Sequence, residues 1–145
     1  MKFDKFVKRS GTHGSIVQSK DGDKWLICDD VAMVIPAGVN VLATEISESK
    51  PMFEAIIHAD TEDDVLELVR ATIPADGKVK DIVRIFATED GENEIQIRNE
   101  NFGLIEKADR LVYLQIDDDV EEHEFILITD RKGETVLGFI RGNNF

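Results

Sequence analysis

The chain has 145 residues, a hydrophobic fraction of 42% and a formal net charge of −13 at pH 7. A chain of this length buries roughly 68–70% of the surface that it exposes when unfolded, so the sequence predicts a single domain, residues 1–145, that needs no disulfide or structural metal. Its negative charge disfavours direct binding of nucleic acid, because most faces would repel the phosphate backbone.

Short strands are predicted for residues 3–42. Residues 15–18 and 24–28 flank Asp21-Gly22, a dipeptide typical of β-hairpin turns. Asp29-Asp30 then leads into a third strand at 31–35, and Pro36 ends it because proline has no N–H to donate to a sheet. A further extended stretch is expected at 39–43.

The middle of the chain, residues 51–88, has the apolar spacing of about three helices. The first begins near Pro51, which suits the first helical turn. A second is predicted from Thr61, because a hydroxyl three residues before the carboxylate of Asp64 resembles a capping box. Its apolar side chains, Val65, Leu68 and Val69, are expected to point inward. Residues 78–88 fit a third helix, although residues 82–86 taken alone also fit a strand.

From residue 92 onward the apolar residues alternate, which is typical of strands. Five are predicted: residues 94–98, 102–106, 111–116, 124–129 and 136–141. Their spacing indicates a meander of consecutive antiparallel strands, with a tight turn at Asp130–Gly133. The fold class predicted is therefore α+β, in which helices from the middle pack on an antiparallel sheet made from N-terminal hairpin strands and the C-terminal meander.

Cysteine usage and the N-terminal residues bear on the compartment. Cys28 is the only cysteine, so no intramolecular disulfide can form, and a reducing compartment is favoured. Residues 1–11 lack the apolar core of a secretory signal, and no run of 18 apolar residues occurs. The sequence therefore predicts a cytoplasmic protein without a membrane partner.

The acidic residues gather in three runs, and these carry the leading functional hypothesis. The runs comprise Asp60, Glu62, Asp63, Asp64 and Glu67; Glu89, Asp90, Glu92 and Glu94; and Asp117, Asp118, Asp119, Glu121, Glu122 and Glu124. Such a surface favours basic partner proteins. The hypothesis is a non-enzymatic interaction protein, in one version an inhibitor that occupies the nucleic-acid-binding surface of its partner. The predicted contact residues are Asp60, Glu62, Asp63, Asp64, Glu67, Asp117, Asp118, Asp119, Glu121 and Glu122. The alternative that acidity only confers solubility stays open.

A second hypothesis places an anion site in residues 8–15. This segment combines two bases with hydroxyls, a histidine and two glycines, and N–H groups beside glycines can cradle a phosphate or carboxylate. The predicted ligand-binding residues are Lys8, Arg9, Ser10, Thr12 and His13. The chain would then be a small-ligand-binding module that sequesters an anionic metabolite or nucleotide, and a homo-oligomer is compatible with that role. Neither Gly-rich phosphate-binding motif is matched, however.

Catalytic and metal-binding motifs are not evident. No serine lies in a G-x-S-x-G elbow, and the histidines His13, His58 and His123 lack H-E-x-x-H spacing. Asp117–Asp119 lacks the glycine of an EF-hand loop. We therefore predict no cofactor and no metal. An enzyme remains a third possibility, because catalytic groups can be brought together by the fold.

Overall fold

The protein is described by a computed structural model for residues 1–41, 45–73 and 75–143. Within these ranges the helices are α1 (Phe3–Ser10), α2 (Pro51–Ile57) and α3 (Asn99–Phe102), and a 3₁₀ turn occupies Val79–Asp81. The strands are β1 (Ser15–Gln18), β2 (Lys24–Cys28), β3 (Val31–Val34), β4 (Ile46–Glu48), β5 (Leu66–Thr72), β6 (Val83–Thr88), β7 (Glu94–Arg98), β8 (Arg110–Asp117), β9 (Glu122–Thr129) and β10 (Val136–Arg141). The predicted extended stretch at 39–43 lies partly outside the described residues.

Two sheets are formed. The larger has the strand order β4-β1-β2-β3-β10-β9-β8, and its neighbours are antiparallel except for the parallel pair β4 and β1. The smaller has the order β5-β6-β7 and is antiparallel throughout. The chain is thus a mixed α+β fold dominated by sheet.

Strands from both ends of the chain lie in the larger sheet, although its layout is not the simple hairpin plus meander that the sequence predicts. The hairpin turn at Asp21-Gly22 is confirmed, and Gly22 has a φ of 93° that favours glycine. The turn at Asp130–Gly133 is also confirmed, and it joins β9 to β10. Strand β10 then pairs with β3, which connects the C-terminal meander to the N-terminal hairpin strands.

The larger sheet is buried on both faces. One face packs against the smaller sheet and α1 around side chains such as Phe6, Phe86 and Ile126, whereas α2 covers part of the other through Phe53 and Ile56. The sequence of β9 is almost continuously apolar because its side chains alternate between the two faces of the sheet, and both faces are buried.

The predicted helix from Thr61 is wrong. Residues 66–72 form β5, and Thr61 caps no helix, because its hydroxyl donates to the carbonyl oxygen of Gly133 at 2.8 Å. Val65, Leu68 and Val69 do not point inward either, since their side chains are 39%, 44% and 51% exposed. Pairing with β6 overrides the local helical spacing, and a β-bulge between Leu68 and Arg70 interrupts the alternation that would have indicated a strand.

The predicted third helix at 78–88 is wrong as well, and the alternative that residues 82–86 form a strand is confirmed. The helix is replaced by the 3₁₀ turn at Val79–Asp81 and by β6, the central strand of the smaller sheet. The first strand of the predicted meander, residues 94–98, does form as β7. It pairs with β6, however, and so belongs to the smaller sheet and not to the meander. The middle of the chain therefore contains one α-helix, α2, among the residues described between 51 and 88.

Strands predicted at both 3–10 and 102–106 are absent. Residues 3–10 form α1, in which Phe6 and Ser10 are buried at the i, i+4 spacing of a helical face. Residues 99–102 form α3, so the predicted strand at 102–106 is absent, and Leu104 is buried without belonging to a strand. The spacing of Phe3, Phe6, Val7 and Ser10 is the signal that could have indicated α1 from the sequence.

Candidate acidic site

The pairing of β5 with β6 brings two of the acidic runs together. Leu66 lies opposite Thr88, so the residues before β5 and those after β6 lie side by side at the same end of the smaller sheet. They form a cleft of about 410 Å³. We call it the acidic cleft. Five carboxylates line it: Glu62, Asp63, Asp64, Glu89 and Asp90.

Backbone contacts with β8 hold one wall of the acidic cleft. Asp64 accepts a hydrogen bond from the N–H of Tyr113 at 2.8 Å, and Val65 forms a β-bridge with Val112. Asp64 also has a φ of 59°, in the left-handed region that costs most residues about 1–2 kcal/mol and aspartate less. Glycine would adopt this backbone conformation more readily than aspartate. The carboxylate of Asp64 is therefore present at a position where the backbone alone would favour glycine.

The opposite wall is the turn between β6 and β7. Asp90 accepts hydrogen bonds from the Thr88 hydroxyl at 2.6 Å and from the N–H of Glu92 at 3.0 Å. The Thr88 hydroxyl, followed by that N–H, lowers the pKa of Asp90 below its ordinary value. Asp90 is therefore an anion throughout the physiological pH range.

The carboxylates of the acidic cleft are not paired with cationic side chains among the described residues. The guanidinium of Arg110 lies beside it but donates to the backbone carbonyl oxygens of Thr61 and Glu62, the latter at 3.0 Å. The negative potential of the cleft is thus available to a ligand.

The third acidic run forms the tip of the β8–β9 hairpin, and there the charge is partly neutralised. Arg141 approaches Nδ1 of His123 at 3.1 Å, and because a guanidinium can only donate, Nδ1 accepts and the ring proton resides on Nε2. Nε2 then donates to Asp118 at 2.7 Å. Glu121 lies 3.5 Å from Arg141, so two of the carboxylates at this tip have a partner.

Tyr113 connects the hairpin tip to the acidic cleft. Its N–H contacts Asp64, and its hydroxyl donates to Glu124 at 2.9 Å. Burial, followed by the hydrogen bond to Glu124 and the nearby carboxylates, raises the pKa of Tyr113, so the phenol stays a donor. Asp117 lies four residue steps beyond Tyr113 on β8, which places the tip about 14 Å further along the strand.

The structure therefore brings together part of the predicted acidic site. Glu62, Asp63 and Asp64 share the acidic cleft, whereas Asp60 accepts the N–H of Glu62 and Glu67 lies exposed on β5. Asp117, Asp118, Asp119, Glu121 and Glu122 stand at the hairpin tip. The predicted contact residues do not include Glu89 and Asp90. These two residues lie beside residues 62–64 only because β5 pairs with β6, and the helical spacing of the apolar residues from Val65 onward gave no indication of that pairing.

The predicted anion site occupies a different setting from the expected loop between strands. Lys8, Arg9 and Ser10 are the last residues of α1, at the negative end of the helix dipole. The N–H groups of Gly11 and His13 already bond Val7 and Ser10, and the Ser10 hydroxyl donates to Phe6. Arg9 donates to the carbonyl oxygen of Glu100, while Thr12 and His13 are exposed. Anion binding by this segment stays a prediction. The contacts just described already use several of its hydrogen-bond donors, so few remain to bind an anion.

A further charged cluster fastens α2 to the β1–β2 turn. Nε2 of His58 lies 3.1 Å from carboxylate oxygens of both Glu54 and Asp21. The Ser49 hydroxyl, followed by the N–H of Lys20, lowers the pKa of Glu54. Within the part of the chain that the structure describes, no group of three or more His, Cys, Asp or Glu side chains is arranged to bind a metal ion.

The geometry of Asp118 predicts a pH dependence of the hairpin tip. The N–H of Glu121, then the His123 ring and the N–H of Val120, lower the pKa of Asp118 from 3.8 to about 2. A carboxyl whose pKa is lowered by folding stabilises the fold above its unfolded pKa and loses that effect as the pH falls. We expect the tip to keep these contacts at pH 4 and to lose them only as the pH approaches 2.

Carbon chemical shifts of the Asp118 carboxyl, followed by NMR from pH 6 to pH 2, would measure this titration. The Asp118→Asn variant, which removes the titrating group, confirms the assignment of the signal. A midpoint at the ordinary aspartate value would contradict the predicted contacts.

A comparison of the chain with protein-family models, with curated proteins and with solved structures finds no match. No helix in the described ranges is long and apolar enough to cross a membrane. The fold and the site define a mixed α+β domain with an acidic cleft whose five carboxylates form no salt bridge among the described residues.

Proposed function

We propose that this chain is a non-enzymatic interaction protein whose acidic cleft binds a basic surface of a partner protein. The observation that carries the proposal is the gathering of five carboxylates in one cleft without a salt bridge among the described residues. Mutual repulsion of these charges is relieved when cationic side chains of a partner enter the cleft. Nucleic acid is not the expected ligand, because its phosphates would be repelled.

We propose further that the hairpin tip belongs to the same binding surface and supplies an apolar contact. Val120 is 89% exposed and stands among acidic neighbours at the tip. Protein interfaces combine a central apolar contact with a polar rim, so Val120 would pack against the partner while the carboxylates around it pair with bases. In one version of the proposal, the partner is a nucleic-acid-binding protein whose basic surface is occupied and inhibited. The encounter would take place in the cytoplasm.

Electrostatic binding of this kind has a distinctive salt dependence. Exposed charges are screened beyond about 8 Å at physiological ionic strength. Association through the acidic cleft should therefore weaken steeply between low and high salt, mainly through a slower association rate. Binding that does not change with salt would count against the proposal.

A charge-reversal experiment tests which carboxylates bind. The probe is a fluorescent decapeptide of alternating arginine and glycine, titrated by anisotropy at low salt. The Glu62→Lys/Glu89→Lys variant reverses both walls of the acidic cleft and should weaken binding about tenfold or more, a change of about 1.4 kcal/mol. Since both side chains are exposed, the free energy of unfolding should change by no more than about 0.5 kcal/mol.

The matched control makes the same change of net charge elsewhere. Glu45 and Glu48 are exposed, and Glu48 lies on β4, six strands and about 29 Å across the sheet from β8. Glu45→Lys/Glu48→Lys should bind the probe much more tightly than the cleft variant does. Equal weakening in the two variants would show that only net charge matters, and the acidity would then serve solubility.

A further inference from the structure

An apolar cavity of about 270 Å³ lies between α2 and the larger sheet, and it shares no residue with the acidic cleft. Phe53 and Ile56 of α2 line one side, and Phe125 of β9 and Phe139 of β10 line the other. A helix of seven residues is about 10 Å long, whereas the neighbouring strands β2, β3, β10 and β9 together span about 14 Å. Helix α2 therefore cannot cover this face completely, and the cavity remains beside it.

Three aromatic rings form an apolar wall of this cavity. The centroid of the Phe139 ring lies 5.7 Å from that of Phe53 and 5.6 Å from that of Phe125. Aromatic rings attract each other at such separations, and all three side chains are buried in the core. Sites for small molecules are typically concave and apolar, with a few polar groups that orient the ligand. The wall therefore fits an aromatic or branched aliphatic group of a ligand.

Charged side chains of both signs line the cavity as well. Asp29 and Asp30 form the turn between β2 and β3, and the N–H of Arg141 donates to the carbonyl oxygen of Asp30 at 2.8 Å, so these residues are neighbours. Lys50, which immediately precedes α2, is the second cation. His123 adds no charge, because its Nδ1 accepts from Arg141 and the ring is therefore neutral. The cavity thus carries two carboxylates and two cations.

Asp29 is the carboxylate that is available to a ligand. Asp30 already accepts a hydrogen bond from the side-chain amide of Asn143 at 3.1 Å. Asp29 is exposed, and its described side-chain contact is with the thiol of Cys28 at 3.8 Å, which is a weak donor. Asp29 takes part in no salt bridge among the described residues. A cationic group of a ligand would therefore bind Asp29.

Both cations are available to an anionic group. Lys50 is exposed and, in the part of the chain that the structure describes, belongs to no salt bridge. The side chain of Arg141 contacts the hairpin tip through Nη2, which lies 3.1 Å from His123 and 3.5 Å from Glu121. A guanidinium has five N–H donors, so Arg141 can bind a carboxylate in addition to these contacts.

We propose that this cavity binds an apolar α-amino acid. The ligand carboxylate pairs with Arg141, the ammonium group pairs with Asp29, and the side chain packs against the three aromatic rings. A cavity of about 150 Å³ can hold benzene, so 270 Å³ admits a benzyl or isobutyl side chain while the charged head stays at the mouth. A ligand with a single charge would leave either Arg141 or Asp29 without a partner. The site is separate from the acidic cleft and does not depend on the function proposed above.

Isothermal titration calorimetry with L-phenylalanine and L-leucine tests the site. At least one of them should bind with a dissociation constant of about 1 mM or tighter. Phenylpropionate and isocaproate lack the ammonium group of these amino acids, and phenethylamine and isoamylamine lack the carboxylate. Each analogue should bind about tenfold more weakly than its parent amino acid, because one buried charge of the site is left unpaired. Amide chemical shifts of Phe53, Phe125 and Phe139, followed by NMR in the same titration, locate the ligand.

Two substitutions remove the charges that hold the ligand. Asp29→Asn should weaken binding about tenfold and keep the fold, because asparagine tolerates the φ of 53° at this position. Arg141→Gln should weaken binding to a similar extent. The matched controls are Asp23→Asn before β2 and Arg131→Gln in the turn before β10, both exposed, and they should bind as the unmodified chain does. Circular dichroism melting verifies that each variant is folded, and Asp29→Asn alone decides if Arg141→Gln is not.

Absence of binding by both amino acids up to about 10 mM would overturn the proposal. Equal affinity for phenylpropionate or isocaproate would overturn it too, since recognition would then involve the carboxylate alone. An equal loss of affinity in the control variants would place the ligand elsewhere. The titration contains no partner protein, so its failure would leave the binding of basic partners by the acidic cleft untouched.

Discussion

Replacing Phe6 with alanine is expected to lower the free energy of unfolding by about 3–5 kcal/mol, the usual cost of removing a buried aromatic side chain. Phe6 lies on α1 and is fully buried between the two sheets, in the same apolar cluster as Phe86 and Ile126. Its removal forfeits apolar burial and leaves a cavity that the paired strands around it cannot collapse to fill. Urea denaturation followed by circular dichroism measures the change.

The control for this prediction is Phe3→Ala on the same helix. Phe3 is only partly buried at the edge of that cluster, so the same chemical change should cost clearly less. An unchanged m-value in both variants would show that the change lies in stability and leaves the denatured state as it was. If both variants lost the same small amount of unfolding free energy, α1 would not be packed against the sheets.

Gly138→Ala should also destabilise the fold strongly, by about 1–3 kcal/mol or more. Gly138 lies on β10 in the centre of the larger sheet, opposite Met33 of β3. A Cβ at this position would lie 2.5 Å from the carbonyl oxygen of Ala32 and would also meet the sulfur of Met1. A backbone oxygen cannot move away without disturbing the pairing of β3 with β10, which joins the N-terminal and C-terminal halves of this sheet.

Gly103→Ala is the matched control. There the added Cβ would lie 2.9 Å from Nζ of Lys5, the mobile end of a long exposed side chain, and Gly103 has an ordinary right-handed φ of −62°. The thermal midpoint of this variant should stay within a few degrees of the unmodified chain or rise slightly, because alanine loses less conformational entropy on folding. If both variants melt alike, the space around Gly138 is larger than the structure indicates.

The strands of the larger sheet illustrate what could be predicted. Hairpin turns such as Asp21-Gly22 are recognisable because their residues favour the required backbone conformation whatever the rest of the chain does. Strand β9 could be recognised because its apolar run is short and bounded by polar turns. The hairpin tip at Asp117–Glu122 was likewise predictable, since acidic residues between two apolar strands can only form a turn.

The sequence by itself therefore determined the acidity, the hairpin turns and the strands of the larger sheet other than β4, because these depend on residue type and on local period. Only the tertiary structure decided that residues 66–72 and 83–88 are strands and that residues 3–10 are a helix. A short segment such as Val65–Thr72 satisfies a helical spacing and, with one bulge, a strand spacing equally well, and the choice is made by the partner it pairs with. The acidic cleft follows from that same choice, since Asp64 and Asp90 become neighbours only when β5 and β6 pair antiparallel.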